Sequence, residues 1–540
     1  MTSEPPPLPS AAARPRRGAA WWTFAFVAAA LLPLMIWASF DFGATWDEKS
    51  RHKNGEMIWE YLRGLRDRST FVGDGGELYA GMFDTICAAL ERYLPLNRYV
   101  FRHIVNAIFG WVGIVYCGRL TGRLFGAWPG VLAMVLLAAS PRYFADSMNN
   151  PKDLPFAAMS VMALYYMSTV SPRWPYLSPA TSIKIAVALA LMLNIRAGAL
   201  LYLGYLGLLV IAFVIAERET RWRRLVDTAA RLAAISVATL LLGTLFWPWA
   251  QGAPLTRPIQ AVLGFAQFPY GADMLFAGGV VTSNDLPWYY APWWFLISSP
   301  PVVLAGVLFA ALHVQRGAAR ACALWSVALL PLVLVVVQHS TLYDGVRHLL
   351  FVYPVLVVLA ASGWATVLSR NNRPGIRLAS GMVLAAGLTS VVVFDVRSHP
   401  NQTAYFNGIV GGPRGAFGRY EMDYWGNCVL EAVAWSANAA RLSGLPIPVS
   451  GEPWPLIQLD SERFHELYFT LPYRGQHALD IRLAKGSTEG VTGLATRPDA
   501  LYKVQTPDGA LLCVVTPGPT FPLLASRLVF PAPGTSLKRH

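Results

Sequence analysis

Residues 19–52 read AAWWTFAFVAAALLPLMIWASFDFGATWDEKSRH, and the rest of the chain is interpreted outward from this stretch. Ala19 to Phe40 is a run of 22 residues without a charge. That is longer than the ~7–15-residue apolar core of a cleaved signal and close to the ~20 residues a helix needs to cross a bilayer. It follows a Pro- and Ala-rich tail, residues 1–18, carrying Arg14, Arg16 and Arg17. The run is therefore expected to remain as a membrane helix with its N-terminus in the cytoplasm. Just beyond it come Asp41, Trp46, Asp47 and Glu48, and carboxylates at a lipid boundary cost free energy unless they are solvated, paired or used.

The remainder has the same character. Of 540 residues 54% are hydrophobic and 14% charged, against about 25% charged in a soluble chain. That balance excludes an ordinary soluble enzyme. The formal charge of +13 does not call for a nucleic-acid partner, because the basic residues fall mainly between apolar runs. Further runs near 100–117, 127–142, 154–170, 181–195, 197–216, 230–247, 291–312, 321–338, 349–367 and 378–395 make eleven expected spans. With that count, Arg119 and Arg123, the Arg218–Arg231 group, and Arg370, Arg373 and Arg377 all fall on the cytoplasmic side.

An odd number of spans places residues 396–540 outside the cytoplasm. Their Pro- and Gly-broken alternating stretches predict a small mixed α/β domain after a membrane domain at 19–395. Five cysteines lack C-x-x-C spacing, so no structural zinc cluster is expected. Cys428 and Cys513 could pair in an oxidising compartment, but the odd total leaves this open.

The expected extracytoplasmic segments are large at 41–99 and 248–290, and four polar sites converge on that face. The first is Asp47-Glu48, heading a helical pattern to Leu62 with Met57, Ile58, Tyr61 and Leu62 on an apolar side suited to the membrane surface. Asp47 is placed to cap this helix and to pair with Arg51 four residues on. An ordinary cap with a surface ion pair fits the same residues. The second site is the turn Pro141–Asp153 with Lys152 and Asp153, the third Arg196, and the fourth Tyr343-Asp344-Gly-Val-Arg347-His348. Cations and carboxylates at an acyl-chain boundary suit a lipid-linked anion.

Three of these features, Trp46-Asp47-Glu48, the turn Ser140 to Asp153-Leu-Pro and Tyr343 to His348, together with Tyr405 to Gly426, resemble the GT-C-fold membrane glycosyltransferases of the protein O-mannosyltransferase and aminoarabinose-transferase type. The resemblance implies a polytopic helical GT-C fold with a small C-terminal extracytoplasmic α/β domain. It further implies transfer, with inversion, of a sugar from a polyprenyl-phosphate donor to a protein, lipid or glycan acceptor at the outer face of a bacterial inner membrane. Asp47 would be the general base and Glu48 would orient base or acceptor. Arg347 and His348, then Lys152 and Arg196, would meet the leaving phosphate, with Arg51, Tyr343 and Asp344 lining the substrate site. Asp153 would bind acceptor or metal; a divalent ion, with Asp47 and Asp153 as its candidate ligands, is left open, and no cofactor is required. The three-repeat lumenal module of eukaryotic O-mannosyltransferases has no counterpart here. A flippase of lipid-linked sugars is the alternative, although it would favour repeat symmetry and charges deep within spans. Trp425, Tyr420, Tyr424 and Asn427 suit either carbohydrate contacts or a packed aromatic core.

Overall fold

The computed structural model describes residues 18–532 except 73–75, 218–220, 267–269, 314–317 and 371–372. The uncharged opening run forms the helix Ala19–Ser39. It exposes Trp21, Trp22, Phe26, Leu34 and Trp37, an apolar surface that only lipid accommodates without cost. Each of the expected apolar runs is helical, but not every one is a single helix of spanning length. Six helices among the described residues are long and apolar enough to cross a bilayer: Ala19–Ser39, Arg98–Phe125, Ala197–Ala216, Trp222–Leu242, Arg347–Ser369 and Pro374–Ser398. Ala127–Ala138, Pro179–Leu193 and Ala321–Val337 are apolar but shorter.

The expected straight span at 291–312 is two helices, Tyr290–Ser298 and Pro301–Leu312, bent by 117°. The cause is the Ser299-Pro300-Pro301 break: two consecutive residues lack an N–H, and their rings clash with the preceding turn. Carbonyls freed at the break need partners, and the side-chain amide of Asn407 donates to Leu296 O (2.6 Å) and Ser299 O (2.9 Å). The membrane helices pack tightly where small residues meet. A Cβ on Gly363 would lie 2.0 Å from Gly306 O, so Pro301–Leu312 and Tyr353–Arg370 can cross this closely only with glycine there.

Beyond Pro374–Ser398 the chain returns to the start of the fold: His399 Nε2 lies 2.9 Å from Asp41 Oδ2. A hairpin, β1 (Asp273–Phe276) and β2 (Gly279–Thr282), belongs to the segment before the bent pair. The C-terminal segment carries β3 (Ile447–Glu452), β4 (Leu467–Phe469), β5 (Leu479–Leu483), β6 (Tyr502–Gln505) and β7 (Leu511–Pro517). They form one sheet in the order β4-β3-β5-β7-β6, parallel from β4 to β5 and antiparallel beyond. Against it packs the helix Cys428–Ser443, tied to β7 by a Cys428–Cys513 disulfide. Its Trp435 stacks on Tyr502 and Phe530.

This segment grips the strand of chain that leads to Asp47. Ala44 N donates to Asp460 Oδ1 (3.0 Å), Arg463 to Phe42 O (3.2 Å), and Trp46 Nε1 to Tyr424 O (2.8 Å). Trp425 Nε1 donates to Asp146 Oδ1 (2.8 Å) in the turn 141–153. Burial pushes the Asp146 carboxyl up to about 6 against the pull of these donors.

Candidate active site

The helix Glu48–Leu62 starts at Asp47, but the Asp47 side chain caps no backbone N–H. It turns instead to Lys152, whose Nζ lies 3.0 Å from Asp47 Oδ2, and to Arg347, 3.7 Å from the same oxygen. Burial disfavours its charge, yet Lys152, Arg347 and the field of Arg51 together hold the Asp47 carboxyl well below the usual carboxylate range. Arg347 is aimed by an unusual turn. Asp344 and Gly345 have φ of +55° and +73°, a left-handed pair that reverses the chain before the 3₁₀ segment Arg347–Val352. Asp344 Oδ2 then sits 3.5 Å from the Arg347 guanidinium. That guanidinium lies over the rings of Tyr343 (4.6 Å) and Trp425 (5.0 Å). His348 packs edge-on against Tyr343. Asp153, fully inside, is ion-paired with Arg196.

Three of the four converging polar sites are thus joined directly around Asp47 and Arg347, and the fourth, Arg196, is held through Asp153. Two expected members face elsewhere. Arg51 does not pair with Asp47: it is ion-paired with Asp84 and donates to Ala80 O (3.0 Å). Asp84 is shared by Arg51 and Arg102, whereas Asp47 is taken by Lys152 and Arg347. Glu48 is 1% exposed and turned inward. Its Oε2 accepts from Thr45 N (2.9 Å) and lies 3.1 Å from His103 Nε2, while Oε1 faces Arg102 Nε at 3.9 Å. The helix after Asp47 divides its expected apolar side between the protein, at Ile58, and the surface, at Leu62. The buried stripe is Glu48, Arg51, His52, Gly55 and Ile58, packed on Met82–Leu90, while Leu62 is exposed.

Tyr79 went unnoticed in the sequence. Its ring lies under Lys152 Nζ (5.0 Å) and Arg51 (5.5 Å). No local pattern marks it; only the fold brings the loop before Met82–Leu90 beneath the two cations. Trp425, Tyr420, Tyr424 and Asn427 are all buried, the first and last completely, so they form core and not an exposed carbohydrate platform. Both carboxylates nominated for a metal face fixed cations, Asp47 on Lys152 and Arg347 and Asp153 on Arg196. This donor set does not fit a divalent ion, whose ligands are anionic or neutral oxygens without competing cations.

The arrangement gathers two cations, able to bind an anion, around the Asp47 carboxylate. Comparison of the sequence with curated proteins gives no match. Among solved structures the chain is similar to ArnT from Cupriavidus metallidurans bound to undecaprenyl phosphate, with 14% identity over 92% of this chain and 98% of that one, TM-score 0.48. It is similar also to the archaeal oligosaccharyltransferase AglB from Archaeoglobus fulgidus in complex with an inhibitory peptide and a dolichol-phosphate, with 13% identity over 77% and 58%, TM-score 0.45. The family model described as dolichyl-phosphate-mannose-protein mannosyltransferase matches residues 100–247, the stretch that holds the 141–153 turn and Arg196. Across those residues the match bears out the resemblance of this multi-pass chain to the GT-C membrane glycosyltransferases of the protein O-mannosyltransferase type.

Proposed function

We propose that this chain is an inverting glycosyltransferase that moves a sugar from a polyprenyl-phosphate donor to a protein, lipid or glycan acceptor on the periplasmic face of a bacterial inner membrane. The observation that carries the reading is the Asp47 carboxylate held between Lys152 and Arg347. In the step proposed, an acceptor hydroxyl attacks the anomeric carbon from the face opposite the phosphate. Its proton passes to Asp47, the carbon–oxygen bond to phosphate breaks, and the electron pair leaves with the lipid phosphate. Lys152 and Arg347 stabilise the charge that develops on the departing oxygen, which lowers the barrier more than ground-state binding alone.

The ion pairs have a further consequence. A phosphate bound on the far side of Lys152 and Arg347 would lie roughly 6 Å from Asp47, one salt-bridge length beyond each cation. The same phosphate competes with Asp47 for both cations, so donor binding raises the affinity of Asp47 for the proton it must take. Arg196 holds Asp153 as the neighbouring wall of the site. The Cys428–Cys513 disulfide supports placing the C-terminal segment in an oxidising compartment.

The test is transfer of labelled sugar from a panel of polyprenyl-phosphate sugars, in membranes holding the wild-type chain or Asp47→Asn at matched abundance. Donor-dependent transfer that collapses in the variant is expected. Equal transfer by both would remove Asp47 from the role of base. No transfer from any donor, with lipid-linked sugar crossing the bilayer unaided, would replace the transferase reading by a flippase.

A further inference from the structure

Beside the Asp47 cluster lies a second group of charges that the transfer step does not use. Lys485, two residues beyond β5, places Nζ 3.1 Å from Asp344 Oδ1 and 3.9 Å from Glu421 Oε1. The same ammonium lies over the Trp46 indole, 5.9 Å from its centroid. The other oxygen of Asp344 faces Arg347. One carboxylate therefore separates Lys485 from the guanidinium assigned to the donor phosphate.

Two features of this group are unfinished. Glu421 is 4% exposed, yet its Oε1 has no hydrogen-bond partner among the described residues, and the ammonium stands just beyond bonding reach. A buried carboxylate oxygen without a donor is costly, and such atoms in folded proteins generally have a partner. Trp46 is 42% exposed although its Nε1 is satisfied by Tyr424 O, so an indole face is open beside Asp47 in the chain. A sugar ring supplies what both lack: hydroxyls that donate to a carboxylate and accept from an ammonium, and a C–H face that stacks on an indole.

We propose that Trp46, Asp344, Glu421 and Lys485 form the subsite for the glycosyl group of the donor, and that the group carries no carboxylate. This rests on the transferase reading. Placement on the donor follows from Asp344, which touches both Lys485 and Arg347: a ring bonded to a phosphate on Arg347 has only one carboxylate's width to reach Lys485. The charge limit follows from the surroundings: a uronate would bring a third carboxylate to Asp344 and Glu421, which share one ammonium.

The test uses the full-length protein in lipid nanodiscs and equilibrium binding of farnesyl phosphate, alone or carrying mannose, glucose, arabinofuranose, an amino sugar or galacturonate. The expected result is tighter binding for at least one glycosyl phosphate whose sugar lacks a carboxylate than for farnesyl phosphate, with no such gain for galacturonate. Lys485→Ala and Glu421→Gln should each lose about tenfold of that increment, the size of a lost charge-assisted hydrogen bond. Binding of bare farnesyl phosphate should stay within about twofold, and Lys485→Arg should retain the increment. Arg347→Ala, by contrast, should weaken every ligand alike. The proposal is overturned if no sugar lacking a carboxylate adds affinity, if galacturonate adds as much, or if the increment survives both variants. It is also overturned if the variants weaken bare and glycosylated lipid equally, or raise only the acceptor KM. Failure of the wild-type chain to bind any of these phosphates would instead overturn the transferase reading itself.

Discussion

Asp47 and Glu48 are adjacent in the chain and opposite in use. Asp47 faces an open site and is neutralised by Lys152 and Arg347, two cations contributed by other segments. Glu48 faces a closed network in which Arg102 also bonds Asp84 at 2.7 Å, with His103 beside it. The first cluster is open to a ligand: the Asp47 side chain keeps 23% of its surface, and Arg347 Nε lacks a hydrogen-bond partner among the described residues. The second is shut off from solvent, each of Glu48, Asp84, Arg102 and His103 being at most 1% exposed. Two like carboxylates one residue apart thus differ by which side of one helical turn they occupy, and a substitution at each should fail in a different way.

The largest expected effect is on chemistry. Asp47→Asn should lower transfer by at least about 100-fold at saturating donor, the usual scale of a lost general base, while the purified variant keeps a cooperative melt. Loss of folding in Asp47→Asn together with full activity in Glu48→Gln would reverse the comparison. Next comes Arg102→Ala, which takes one of the two guanidinium partners from buried Asp84 and the nearest arginine from Glu48. Breaking a buried pair in this way costs on the order of 3–5 kcal/mol, read as a lowered thermal midpoint and reduced abundance. Glu48→Gln should be milder, within a few-fold of wild-type turnover per folded molecule, with a lower melting temperature. A KM or kcat change as large as that of Asp47→Asn would move Glu48 into the chemistry.

The smallest effect concerns pH. Burial pushes the Glu421 carboxyl up to about 7, Asp344 adding to the shift and Lys485 opposing it. A carboxyl whose folded pKa lies above its unfolded value, about 4.3, destabilises the fold as pH rises through that window. Thermal stability should therefore increase as pH falls from 8 towards 5, and Glu421→Gln should flatten that slope. Asp47 carries the opposite sign. Its pairing stabilises the fold fully above about pH 4 and is lost only as pH falls through its depressed folded value, so it adds nothing to the slope between 5 and 8.

Much of the site was legible because its signals are local. A polar turn between apolar runs stands out in any window, and Lys152, Asp153, Arg196, Asp344 and Arg347 were all found that way. Arg51 was misassigned because i,i+4 spacing supplies a neighbour without saying what else competes for it; Asp84 won. Tyr79, Glu421 and Lys485 lie in stretches with no distinguishing pattern, and they reach the site only through loops that return from elsewhere. The Trp425 group fits two readings in sequence, since residue types suited to sugar contacts are also those that fill a core, and its burial decides for the core.

The sequence by itself determined that this chain lives in a membrane, where its helices run, and which charged turns gather at one face, because hydropathy and charge are carried residue by residue and read without knowing the fold. Only the tertiary structure decided that Asp47 and not Glu48 meets the cations, that the run at 291–312 bends by 117° at its prolines, and that a lysine beyond β5 sits over Trp46. Those outcomes depend on which charges are brought within a few ångströms and sealed from water, and coulombic strength in a protein follows distance and burial, not order along the chain.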